Sequence, residues 1–342
     1  MNTNTGHRTD KSPLMQSKGR IRLLVGMVAV WAVAAPFQLM AQRGTSEDVA
    51  LATTSGTLAG TLTRPTSGIA APLVIMIAGS GPTDRNGNTV GMASGPESYR
   101  MLADSLAAHG IASLRYDKRG VGASRGAMAA ESQLRFEMYA DDAAAWVRQF
   151  RSDARFSRVV VLGHSEGSLL GMLAAQRSPS DAFISVAGPA RRADMVLREQ
   201  LSGQLPPALQ AQSDSILAKL VRGDTVSNTP SILASLFRPS VQPYMISWLR
   251  YTGITEIPKL RVPVLIVQGT HDIQVLPTEA DQLAQALPTA RLVMVAGMNH
   301  VLKVTPANKA EQLRFYTDPT VPLAPELVTG LVSFINTLGA HK

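Results

Sequence analysis

Three residues of this sequence have the type and the spacing to make and break an acyl bond: a serine between glycines, a late histidine, and an aspartate between the two. Ser165 lies in Gly163-His-Ser-Glu-Gly167, directly after the apolar run 159–162 and before a segment of small and helix-compatible residues, 168–172. Apolar strand, G-x-S-x-G and helix, in that order, are the context of a nucleophile elbow. The strand feeds a sharp turn that exposes the serine Oγ at the carboxyl end of a sheet. A second match, Gly122-Ala-Ser-Arg-Gly126, follows the charged loop Asp117-Lys-Arg-Gly120 with no strand before it. Ser124 therefore reads as a turn residue.

A serine hydroxyl is a weak nucleophile until a neighbouring base takes its proton, and that base needs a third group to orient it. After an elbow the order along the chain is Ser, then Asp or Glu, then His. The histidines beyond Ser165 are His271, His300 and His341. His300, in Gly297-Met-Asn-His300, follows the last strand signal, and His341 sits at the terminus. Asp272 follows the run 264–268 through a short glycine turn and is the expected carboxylate. Glu279 and Asp281 are outside candidates in the next helix. The oxyanion formed on attack needs fixed donors. The backbone N–H of Glu166 and that of Ser80 are expected to supply them, with Gly81 next in line.

Other polar residues near these positions read more plainly. The Glu166 side chain is expected to be solvated or to serve a helix amino end, with a substrate amine as its alternative partner. His164 reads as a packing or rim residue, and His109 as a helix cap. Asp84, Arg85 and the run Arg115-Tyr-Asp-Lys-Arg-Gly120 read first as loop-bracing ion pairs and second as substrate contacts.

These residues need a sheet to hold them. Residues 49–63 alternate around Gly56 and Gly60 as an antiparallel hairpin. Strand signals follow at 73–78, 111–116, 159–162, 183–187, 264–268 and 292–295, with helices at 99–109, 136–150 and 325–338. Strands alternating with helices predict an α/β fold, a mostly parallel twisted sheet with helices on both faces. From 190 to 258 only helix-like, proline-punctuated segments occur, and they read as a helical cap inserted over the site. The hydrolytic domain is expected over residues 42–338.

The chain has 342 residues, 45% of them hydrophobic and 17% charged, which suffices for a large core. It contains no Cys, which removes disulfides, thiolate catalysis and thiolate metal sites. No H-E-x-x-H, EF-hand loop or G-x-x-x-x-G-K occurs, so neither metal nor cofactor is expected. Lys18, Arg20 and Arg22 precede an apolar stretch, 23–40, that ends at Ala41 before Gln42. This pattern predicts a signal peptide over 1–41, cleaved after Ala41 with Ala35 as a second site, and hence a periplasmic or secreted protein. An uncleaved membrane anchor is the competing expectation. The same segment carries five Lys/Arg and one Asp, so of the net charge of +8 only +4 belongs to the remainder. That charge is diffuse, and nucleic acid is not an expected partner.

The motifs together resemble the α/β-hydrolase superfamily, and within it the bacterial carboxylesterases and serine aminopeptidase-like hydrolases. The resemblance covers about residues 49–338. It rests on Gly79-Ser-Gly-Pro-Thr-Asp-Arg-Asn-Gly87, Arg115-Tyr-Asp-Lys-Arg-Gly120, Gly163-His-Ser-Glu-Gly167, Pro263-Val-Leu-Ile-Val-Gln-Gly-Thr-His-Asp272 and Asn299-His300. The first of these is similar to loops of esterases acting on short acyl chains. Its lead-in here is Ala78-Gly79, where His-Gly is commoner. The resemblance implies acyl transfer to water, with a small-molecule ester as substrate. A peptidase acting at amino termini is the alternative, and a non-catalytic binding protein on the same fold a remote one. A dehalogenase is disfavoured, because Ser165 stands where that chemistry needs Asp.

Overall fold

The computed structural model describes residues 44–339 other than 68 and 129. The segment expected to be a signal peptide, and His341, lie outside the described residues. Strands β1 (Thr45–Thr53) and β2 (Gly56–Arg64) form an antiparallel hairpin. Strands β3 (Ala71–Ile77), β4 (Ala112–Tyr116), β5 (Phe156–His164), β6 (Ala182–Val186), β7 (Val264–Gly269) and β8 (Arg291–Val295) follow. Among the described residues they build one sheet in the order β1-β2-β4-β3-β5-β6-β7-β8. β2 joins β4 antiparallel, and every pair from β4 to β8 is parallel. Helix α1 (Ser98–Ala108) leads into β4, α2 (Phe136–Arg151) into β5, and α3 (Glu166–Arg177) into β6.

The apolar runs are continuous because both faces of the sheet are covered. Successive side chains of a strand point to opposite faces. Leu73, Ile75 and Ile77 therefore pack into one core layer with Val159, Val161, Trp146 of α2 and Leu170 of α3. Val74 and Met76 pack into the other, with Val160, Leu162 and Leu102 of α1. A buried side chain of this size contributes about 1.5–3 kcal/mol relative to exposure, so a one-residue slip of β3 or β5 would bring unlike side chains to both layers.

Between β6 and β7 the chain is helical: α4 (Ala193–Leu201), α5 (Pro207–Arg222), α6 (Ala234–Phe237), α7 (Gln242–Trp248) and α8 (Gly253–Glu256). Helix α9 (Pro277–Ala286) precedes β8, and α10 (Lys309–Gln312) and α11 (Pro325–Thr337) complete the chain. Glu279 of α9 is fully buried and accepts the N–H groups of Ala190 and Arg191, at 2.7 and 2.9 Å, while pairing with the Arg191 guanidinium. Its carboxylate thus ties down the point where the helical insertion leaves the sheet. No helix among the described residues is long and apolar enough to cross a membrane.

Candidate active site

Ser165 follows the last residue of β5 and caps α3 with φ 57° and ψ −125°. A non-glycine residue held there stores about 1–3 kcal/mol of strain. The turn persists because strand, helix and neighbouring loop leave no other path. A Cβ added at Gly163 would collide with the Gly167 carbonyl, and one added at Gly167 with the Ile77 carbonyl. The β3–β5 register pairs Ile77 with Gly163, so the loop beginning at Ala78 emerges beside the elbow. It passes so near that a Cβ on Gly79 would lie 3.1 Å from Ser165 Cβ.

Asp272 and His300 arrive from the loops after β7 and β8. His300 Nδ1 lies 2.8 Å from Asp272 Oδ2, and both residues are buried. Asp272 is itself fixed. Its Oδ1 accepts the N–H groups of Gln274 and Val275 at 2.9 and 3.0 Å, and its Oδ2 also accepts Gln268 Nε2 at 3.2 Å. A carboxylate can only accept, so Nδ1 carries the hydrogen and Nε2 is left as the basic nitrogen. His300 and Ser165 line one cavity of about 290 Å³ together with Gly79, Ser80, Tyr99 and Tyr316. Ser165 Oγ makes no hydrogen bond among the described residues, and such contacts often tighten only when substrate binds.

The remaining candidates are placed as follows. Glu279 serves the insertion and Asp281 is exposed, so neither approaches His300. His271 binds the Thr305 carbonyl through Nδ1 at 2.6 Å, and His109 binds the Ser105 carbonyl at the end of α1. Ser124 is fully buried in the 3-10 turn Gly122–Ala127, where its Oγ accepts the Ala59 N–H of β2 at 2.9 Å. It is a turn residue that also satisfies a strand. Arg85 forks onto Asp117, and Arg119 pairs with Asp142. Asp84 accepts the N–H groups of Asn86 and Asn88. These contacts brace the loops.

At the expected oxyanion hole, some backbone groups are bonded and others are left over. Gly79 N–H donates to Tyr99 Oη at 3.2 Å, the Gly79 carbonyl accepts Lys118 Nζ at 2.6 Å, and the Ser80 carbonyl accepts Thr83 Oγ1 at 2.9 Å. The Ser80 N–H meets no acceptor among the described residues, and neither does the Glu166 N–H that opens α3. A free helix-opening N–H beside a second free N–H favours negative charge.

Two expectations that named alternatives are narrowed. The Glu166 side chain is not solvated: it is buried and pairs with buried Lys118 at 3.1 Å, beneath the helical insertion. The charged run hid this, because a lysine reads alike whether it faces water or a buried carboxylate. His164 takes the packing alternative over the rim: it is buried against the His300 ring. Its Nε2 lies 2.9 Å from the His300 carbonyl and its Nδ1 2.7 Å from Tyr99 Oη. A carbonyl only accepts, so Nε2 donates and Nδ1 receives the Tyr99 hydroxyl. Burial, then the nearby His300, pushes the His164 pKa down to about 3. Burial raises the Tyr99 phenol and keeps it protonated. A neutral chain thus runs from Gly79 through Tyr99 and His164 to the backbone of His300. Tyr99 carried no motif that marked it, whereas Lys118 stands in the run Arg115-Tyr-Asp-Lys-Arg-Gly120, read as ion-paired, and its partner is Glu166.

A second cavity, of about 500 Å³, lies against the insertion and shares Ser80 with the first. Leu236, Tyr244, Met245 and Trp248 line it, while Leu233, Phe237 and Leu249 instead pack into the core. Its two carboxylates are both engaged, Glu166 by Lys118 and Glu131 by Arg238. No carboxylate lines the Ser165 cavity. No group of three or more His, Asp or Glu arranged to hold a metal occurs among the described residues.

Residues 89–304 match the model of a family described as serine aminopeptidase, S33. Over 237 residues the chain is 29% identical to esterase EstD of Thermotoga maritima, an alignment covering 66% of this chain and 52% of that one. The chain thus spans about half the length of that relative. Est1E of Butyrivibrio proteoclasticus, solved with ferulic acid bound, superposes with a TM-score of 0.57 and 21% identity, over 85% of this chain and 98% of its own. Proline iminopeptidase of Mycobacterium smegmatis superposes with a TM-score of 0.55 and 19% identity, again over 85% and 98%. The likeness to these two structures is one of fold.

Proposed function

The chain belongs to the serine aminopeptidase S33 family, and from that premise we propose that it hydrolyses short carboxylic esters through an acyl-enzyme on Ser165. Ser165 Oγ attacks the ester carbonyl while His300 Nε2 takes its proton, and Asp272 holds the imidazole in the tautomer that can accept it. The N–H groups of Ser80 and Glu166 receive the oxyanion. His300 returns the proton to the leaving alcohol, and water then releases the acid by the same steps. The observation that carries the reading is His300, held by Asp272 with its basic nitrogen free, lining one cavity with a serine held at positive φ.

Esters are favoured over peptides because an amino-terminal substrate needs a carboxylate for its ammonium, and the two that line the insertion-side cavity are already paired with cations. Short chains are favoured because the cavity that holds Ser165 measures only about 290 Å³. The deciding experiment compares kcat/KM for butyrate and palmitate aryl esters with that for an aminoacyl anilide, on protein starting at Gln42. The butyrate ester should lead. A higher efficiency on the anilide would replace the esterase reading with the aminopeptidase one.

Export is proposed on the basic and apolar pattern of residues 18–41 alone. Amino-terminal sequencing of protein from the native host should begin at Gln42, and recovery of a membrane-bound chain retaining 23–40 would establish an anchor.

A further inference from the structure

We propose that Lys118 is a positioning residue for the oxyanion hole, a single buried cation that holds the peptide of one donor and the side chain of the other donor residue in place. The inference rests on the esterase reading above and names a part of the site that the triad leaves out.

The argument begins with peptide geometry. The Gly79 carbonyl and the Ser80 N–H belong to the same peptide unit, and in a trans peptide the two point in opposite directions. Lys118 Nζ binds that carbonyl at 2.6 Å. Holding the oxygen on the Lys118 side therefore turns the Ser80 N–H to the other side of the same plane. A hydrogen bond from a charged donor is stronger than a neutral one. Hydrogen bonds in series also polarise one another, so the ammonium on the carbonyl makes the N–H across the peptide a better donor. The same Nζ lies 3.1 Å from Glu166 Oε1, the side chain of the residue that supplies the second N–H. One cation thus touches the donor peptide on the β3 side and the donor residue at the start of α3.

The surroundings fit such a role better than substrate binding. The Lys118 side chain is 2% exposed, and its ammonium lies 5.0 Å from the centre of the Tyr139 ring. Glu166 is equally buried, so the charge is balanced within the wall of the site. Burial first, and the Glu166 carboxylate next, raise the phenol of Tyr244, which closes this wall from α7. Among the described residues Gly79 is otherwise held only through its N–H, by Tyr99. With Lys118 removed, the 79–80 peptide plane keeps no contact that sets the direction of its carbonyl.

The test uses Lys118→Met and the double variant Lys118→Met/Glu166→Gln. The single change strands a buried carboxylate and can destabilise the fold. The double change removes both charges, a replacement that folded proteins tolerate far better. Each is assayed on a butyrate aryl ester and with a trifluoromethyl ketone, whose serine adduct carries the tetrahedral oxyanion, with a thermal melt as the check on folding. Removing one oxyanion donor costs about 10²–10³ in kcat. The double variant is expected to fold, to lose about 10²-fold in kcat with KM near the wild-type value, and to lose affinity for the ketone by the same factor. Wild-type kcat and ketone affinity in the double variant would overturn the proposal, since only a stranded charge would then have been at fault. A raised KM with unchanged kcat would overturn it too, by making Lys118 a substrate contact. Failure of the esterase reading shows instead in the wild-type protein, as absent ester turnover, and takes the inference with it.

Discussion

Replacing Asp272 by Asn keeps the shape of the side chain and removes one of its two acceptors. In the native site Oδ1 receives two backbone N–H groups and Oδ2 receives His300 Nδ1 and Gln268 Nε2. An amide has one oxygen, so two of these four donors must face its NH₂. If the oxygen stays on the backbone pair, the NH₂ points at His300 and donates to Nδ1. The proton of the neutral imidazole then moves to Nε2, the nitrogen that must accept from Ser165. The base is lost while its position is kept, and kcat should fall about 10⁴-fold, the loss known for this change in a serine protease triad. Stability should fall as well. A hydrogen bond to a charged group contributes about 1.5–3 kcal/mol, so losing the charge and one acceptor should cost about 2–4 kcal/mol in urea unfolding. Hydrolysis of a butyrate aryl ester, measured below the unfolding midpoint, reads the first effect separately. Activity within tenfold of wild type in Asp272→Asn, with loss in Glu279→Gln, would refute the assignment.

Two further outcomes follow from buried polar side chains. His164 is held neutral with a pKa near 3 against an ordinary 6.5. The unfolded chain therefore binds a proton that the folded chain refuses as pH falls from about 6.5 to 3, and folded stability is lost over that window. His164→Gln should flatten the fall by up to about 1.4 kcal/mol per pH unit, and an unchanged slope in acid unfolding would show that another group carries it. Ser124→Ala should leave kcat and KM as they are while lowering stability by about 1–3 kcal/mol, because the Ala59 N–H of β2 loses its acceptor. A kcat loss there would point to the wrong serine.

The parts of this molecule legible in the sequence are those that depend on neighbours along the chain. β3 and β5 showed as unbroken apolar runs because both of their faces are buried. The elbow showed because a strand, two glycines and a helix must be contiguous to make it. The order Ser165, Asp272, His300 showed because each sits just past a strand end. What stayed hidden are contacts between distant segments. The carboxylate of Glu166 meets Lys118, and His164 meets Tyr99, through side chains whose types read equally well as solvated or as packed. Glu279 read as an outside candidate for the carboxylate behind His300, and only its approach to Ala190 and Arg191 shows what it holds.

The central claim is that Ser165 becomes covalently acylated. A fluorophosphonate reacts with a serine only where a base and an oxyanion hole activate it, and peptide mass mapping then locates the adduct. The account predicts one adduct, on the peptide containing Ser165, formed in step with complete loss of ester turnover and absent from Ser165→Ala. An adduct on Ser124, or full ester turnover in a protein whose Ser165 is quantitatively modified, would contradict it.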